Sequence, residues 1–154
     1  MKSANGIREL SVGVRILDCD HREMSETIME LHANELAGRE RSLTASLLRK
    51  LAHFTHVHFA LEEGMMAATK YPAMVLHSLK HQRMIEQLQA TVARYSRRGL
   101  TLTGLSLGSL DDWHTDHVER DDLDFGLWLN EERPPLPLEG QLRRGPIGRD
   151  RLGL

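Results

Sequence analysis

The chain has 154 residues, 27% of them charged, with a formal net charge of −2. That length closes a hydrophobic core without cross-links, and the charge balance, with no basic cluster in the first 130 positions, excludes a nucleic-acid surface. Its one cysteine, Cys19, rules out an internal disulfide, and no apolar run suits a membrane span or a secretion signal, so a cytoplasmic protein is expected.

Residues 1–17 contain "LSVGVRIL", whose β-branched residues and glycine predict an extended arm. Apolar periodicity then predicts four long helices and almost no strand. The first runs from about Asp18, with Asp18 or Asp20 as its cap, to about Ala37, where Gly38 ends it. The second starts near Ser42 or Thr44 and continues to about Lys70. "YP" breaks the chain there, and Pro72 suits the first turn of a third helix that runs to about Arg98. The fourth begins between Thr103 and Ser109 and ends near Glu131. Short connectors between helices of similar length predict an all-α, antiparallel up-down-up-down four-helix bundle over residues 1–131. Residues 132–154, with Pro134, Pro135, Pro137 and Pro146, read as a flexible, disordered tail rather than a polyproline ligand.

Histidine is the compositional outlier, nine in one small domain. The densest group lies in "HFTHVHFALEE", His53–Glu63. Helix positions four apart share a face, so His58 and Glu62 can reach one point, which His53 and His56 cannot easily join. His77 and His81 repeat that spacing. His117 and Asp122 are five apart, about 140° on an ideal helix, yet able to converge on a site between helices. In an antiparallel bundle, one level draws residues from alternating helix ends. His21 near the start of the first helix, His58 and Glu62 late in the second, His77 and His81 early in the third, and His117 and Asp122 in the later half of the fourth satisfy that condition.

Five neutral imidazoles and two carboxylates inside a bundle make sense around metal, because unpaired burial costs several kcal/mol each. A structural zinc site closes with four ligands, no thiolate is suitably placed, and seven donors suit two ions. Imidazole with carboxylate suits iron, although the Glu-x-x-His repeat of ferritin-like di-iron proteins is missing. If both carboxylates and one solvent-derived oxygen bridge two irons, dividing the histidines three and two leaves one coordination position open for a small molecule.

The motifs "SVGVRILDCDH", "HFALEE" followed by "M" and "YP", "HSLKH" and "WHTDHVERDD" stand in the order and spacing of a known family. Over about residues 9–131 the sequence resembles the hemerythrins, most closely their single-domain bacterial members, the bacteriohemerythrins. The resemblance implies two iron ions (Fe2+/Fe3+) joined by a bridging oxo or hydroxo group. His77, His81 and His117 would hold the saturated iron, His21 and His58 the open one, and Glu62 and Asp122 would bridge both. It implies reversible binding of dioxygen for carriage, storage or delivery to an oxygen-consuming enzyme, by a monomer or weak homo-oligomer. The family's oxygen pocket is apolar, and its positions correspond here to Met24, Phe59, Trp113 and Val118. The same ligands would also support a di-iron enzyme acting on peroxide or nitric oxide, or an oxygen or redox sensor. No transducer segment is evident for the sensor, and no acid–base side chain is placed in the pocket, which favours reversible binding over turnover. His53, His56 and His114 are expected to be peripheral or to support the ligands from outside, His32 to be partly buried, Glu63 either to anchor a ligand histidine or, as slightly preferred, to face solvent, and Cys19 to be passive.

Overall fold

The computed structural model describes residues 10–38, 40–97 and 104–130. The expectations for residues 1–9, for the tail at 132–154 and for helix ends at Arg98, Thr103 and Glu131 lie outside the described residues. Among the described residues five α-helices form four rods: α1 (Arg15–Leu36), α2 (Arg41–Thr69), α3 (Met74–Ser96), and a fourth rod made of α4 (Gly104–His117), a π-helical turn (Val118–Asp122) and α5 (Leu123–Leu129). There is no strand among the described residues. α2 packs on both α1 and α3, and α4 packs on α1, as in an antiparallel four-helix bundle. Among the described residues no helix is long and apolar enough to cross a membrane.

Local chemistry places each helix end. Val14 holds an extended backbone just before α1, which therefore starts three residues before the expected Asp18. Asp18 works from inside the first turn, accepting hydrogen bonds from the Val12 N–H at 2.7 Å and the Ser11 hydroxyl at 2.9 Å. It thus ties the arm to the helix instead of capping it. Gly38, at φ +58°, ends the helix as expected. α2 starts at Arg41, whose guanidinium donates to the carbonyls of Tyr95 and Arg97 and lies 4.3 Å over the Tyr95 ring. Thr44 is buried rather than capping, and accepts a hydrogen bond from Asn34 Nδ2. Lys70 closes α2 in the left-handed region (φ 56°, ψ 43°), so that the Tyr71 N–H reaches the Met66 carbonyl at 2.9 Å. Pro72 lies in the turn ahead of α3, two residues before its first turn.

The interior is divided into two apolar layers. One gathers Met24, Ile28, Leu31, Leu48, Phe59, Met84 and Leu88 with neighbours along the bundle. The other gathers Leu10 and Val12 of the arm with Leu17, Met66, Tyr71, Val118 and Phe125 at one end. Each fully buried side chain of these layers stabilises the fold by roughly 1.5–3 kcal/mol. The arm reaches its seat only because residue 126 is glycine: a Cβ there would lie 2.1 Å from the Val12 carbonyl oxygen. Between the two layers sits a polar cluster with no access to water.

Candidate metal centre

All seven side chains singled out by spacing and level meet in that cluster. His21, His58, Glu62, His77, His81, His117 and Asp122 are each at most 4% exposed. Their donor atoms fall into two overlapping groups, Glu62, His77, His81, His117 and Asp122 in one, His21, His58, Glu62 and Asp122 in the other. Within each group the atoms lie no more than 4.8 Å apart.

The two carboxylates are shared in an orderly way. Asp122 Oδ1 lies 3.0 Å from both His77 Nε2 and His117 Nε2, while its Oδ2 lies 3.2 Å from His21 Nε2. Glu62 Oε2 lies 3.3 Å from His81 Nε2 and 3.9 Å from His77 Nε2, while its Oε1 lies 3.6 Å from His58 Nε2. Each carboxylate therefore turns one oxygen to a group of three histidines and the other oxygen to a group of two.

The fourth rod could not do this as a plain α-helix, on which residues 117 and 122 stand about 140° apart. The five-residue π-helical turn widens the helix between them. Residues five apart then share a face, as such turns often arrange at functional sites. The offset expected from the sequence is removed by backbone geometry, not by side-chain reach.

A cation fits these residues. Both oxygens of Glu62, both of Asp122 and the Nε2 atoms of His21, His58 and His77 are buried without a hydrogen-bond partner. They approach one another closely but without hydrogen-bond geometry, as donors aimed at a common centre do. An unpartnered buried polar atom costs about 1–3 kcal/mol, and divalent cations, one in each of the two overlapping groups, would satisfy these seven atoms.

Electrostatics in the protein alone follow from the same crowding. Burial, reinforced by Asp122, pushes the Glu62 carboxyl up to about 9. Burial lowers His58 to about 4 and His81 to about 2, with neighbouring histidines adding to the effect. For His117 burial works in the same direction, but the Asp122 charge beside it and the hydrogen bond to Asp121 prevail and raise it to about 9. Asp122 stays well below the usual carboxylate range despite burial, because His117, His21 and His77 surround it.

Three outer carboxylates hold the ligand rings. His58 Nδ1 pairs with Asp20 at 3.1 Å, His81 Nδ1 with Glu63 at 3.0 Å, and His117 Nδ1 with Asp121 at 3.2 Å. Lys80 in turn reaches Asp121 at 2.5 Å. A carboxylate accepting from Nδ1–H leaves the Nε2 lone pair directed inward and makes it more basic, which is the usual outer support of a metal-bound imidazole. Two expectations are corrected here. Asp20 serves His58 rather than the start of α1, and Glu63, its side chain still 38% exposed, anchors His81, the alternative to the preferred reading in solvent. Asp121 was missed altogether. All three stand next to a ligand candidate in the chain, and that adjacency was the available signal.

His53 and His56 are exposed on α2, His32 is partly buried, and Cys19 is exposed. Phe59 stacks on His81 at 3.7 Å between ring centroids, and Trp113 stacks on His117 at 5.0 Å. Met24 and Trp113 line a small cavity over the site, with room for about one water-sized molecule. Val118 instead joins the apolar layer beneath the arm. Of the two places expected for His114, the one beside the ligands holds: it is 3% exposed and lines the same cavity as Met24.

The architecture defines a class: an antiparallel helical bundle that encloses a two-lobed cation centre of imidazoles and shared carboxylates. The hemerythrin HHE cation binding domain model matches residues 12–128, and the chain belongs to that family. It is similar to the bacteriohemerythrin of Pseudomonas aeruginosa strain UCBPP-PA14, 26% identical over 117 residues, covering 76% of this chain and 75% of that protein. It is also similar to the bacteriohemerythrin of Stenotrophomonas maltophilia strain R551-3, 25% identical over 114 residues, 74% of this chain and 73% of that one. No solved structure matches the chain significantly.

Proposed function

We propose that the protein binds dioxygen reversibly at a pair of non-heme irons bridged by Glu62 and Asp122. His77, His81 and His117 hold one iron in this reading, and His21 and His58 hold the other. The observation that carries it is the division of each carboxylate's two oxygens between the three-histidine and two-histidine groups. Bound iron supplies an open coordination position and the electrons that dioxygen binding requires. The chain's own residues do the rest. Asp20, Glu63 and Asp121 orient imidazoles, and Phe59, Trp113 and Met24 exclude water and stray protons that would displace the ligand and promote oxidation.

A second reading is turnover of peroxide or nitric oxide at the same centre, and for peroxide one observation favours it: His114 places a hydrogen-bonding side chain on the cavity wall, against the sequence expectation of no acid–base group there. Iron analysis and the visible spectrum in air separate these readings. Two irons per chain and an oxygenated spectrum that reverses under vacuum are expected. Iron loading without reversal, accompanied by steady consumption of peroxide or nitric oxide, sinks the carrier reading and promotes the enzyme. His58→Ala should lose iron or its charge-transfer bands, while His53→Ala and His56→Ala, altering exposed residues, keep both.

A further inference from the structure

The cavity above the centre is walled by residues one turn from metal-site histidines. Met24 follows His21 by three positions, Thr55 precedes His58 by three, Met84 follows His81 by three, and Trp113 and His114 precede His117 by four and three. A molecule in this space is therefore a neighbour of the centre, on the side away from the arm. The walls are mostly apolar. The Thr55 hydroxyl is directed to the Met24 sulfur at 3.4 Å, whereas His114 Nε2 is buried without a hydrogen-bond partner. The His114 ring stands edge-on to that of His21, 6.2 Å between centroids. His21 belongs to the two-histidine group, the one that in the proposed reading would leave a coordination position free.

An imidazole nitrogen buried without a partner is costly, and a leucine would fill a similar volume without that penalty. The polar atom thus requires an explanation beyond packing. We propose that His114 is the polar contact of the small ligand that enters the centre, favouring molecules that hydrogen-bond strongly, such as azide or hydrogen peroxide, over the weakly accepting nitric oxide. The inference rests on the proposed iron pair with its open position at His21 and His58. Neutral imidazole offers either a donor or an acceptor at Nε2 according to tautomer. Burial keeps the ring neutral, its pKa lowered to about 3.

Azide titration of the oxidised, iron-loaded full chain tests the proposal, read from the visible spectrum of wild type, His114→Leu and His114→Gln. His114→Leu should weaken azide about tenfold, the scale of one lost hydrogen bond to a charged group. Nitric oxide binding to the reduced protein should stay unchanged, and His114→Gln should recover part of the azide affinity. Metal-free His114→Leu should melt above metal-free wild type, a readout independent of iron. Equal azide affinities in wild type and His114→Leu overturn the proposal, as does a parallel loss of azide and nitric oxide. A lower melting temperature of metal-free His114→Leu makes His114 a packing residue and likewise overturns it. Should His114→Leu not fold, the imidazole nitrogen resonances of wild type decide: a His114 signal that moves on azide addition supports the contact, and an unmoved one refutes it. Wild type that takes up no iron refutes the proposed function itself, a result distinct from the variants matching an azide-binding wild type.

Discussion

Replacing Glu62 by glutamine should stabilise the metal-free protein while weakening its hold on metal. Glu62 is fully buried and its carboxyl is raised from 4.5 to about 9, first by burial and then by Asp122. For an acid raised in this way, the folded chain keeps a proton that the unfolded chain has released. The resulting penalty is absent below pH 4.5, grows as pH rises, and levels off near pH 9. At about 1.36 kcal/mol per pH unit, the interval from 4.5 to pH 7 amounts to about 3 kcal/mol, and that up to pH 5 to under about 1 kcal/mol. Glutamine matches the protonated acid in shape and cannot ionise in the unfolded chain, so Glu62→Gln removes the penalty. In a chain of this length the gain at pH 7 corresponds to roughly 6–12 °C in melting temperature. Far-UV circular dichroism melts of chelator-treated wild type and variant at pH 5 and pH 7 provide the assay. A gain of equal size at both pH values, or a loss at pH 7, would refute the reasoning. Iron loading should move oppositely, because the amide nitrogen cannot replace the carboxylate oxygen that faces one histidine group.

The remaining predictions address supports and coupling. Asp121→Asn removes the negative charge that faces His117 Nδ1 and Lys80, leaving only a neutral amide oxygen to accept, and should weaken metal affinity roughly 10- to 100-fold, measured by chelator competition. An unchanged affinity would show that Asp121 does not support the ring. Metal uptake by wild type at pH 7 should release at least two protons per chain, because Glu62 and His117, both raised to about 9, must lose theirs, and a bridging hydroxide formed from water would add one more. A pH-stat titration counts them, and affinity should climb with pH up to about 9. Gly126→Ala would place a Cβ 2.1 Å from the Val12 carbonyl oxygen. Displacing the arm should lower stability by about 1–3 kcal/mol or more, seen as a drop in melting temperature, and an unchanged melt would show that the arm is not held there.

Helix number, approximate helix limits and the seven converging side chains were legible in the sequence, because they depend on local periodicity and on counting levels along antiparallel rods. His58 and Glu62 stood out from His53 and His56 by spacing alone, and burial separates them in the same way. What spacing could not supply was direction between helices. Whether Asp20 caps its own helix or reaches His58 depends on how α1 is rotated against α2, and the same holds for Glu63 towards His81. The five-residue interval between His117 and Asp122 suggested an offset, which only the π-helical turn removes, by redirecting backbone hydrogen bonds. His114 stands one turn before His117, which put it near the site; its full burial follows from three other helices closing over the same cavity. The sequence by itself thus determined which groups share a face and a level, because covalent spacing sets those. Tertiary structure decided which groups touch, because rotation of each helix about its own axis is set by packing against its neighbours.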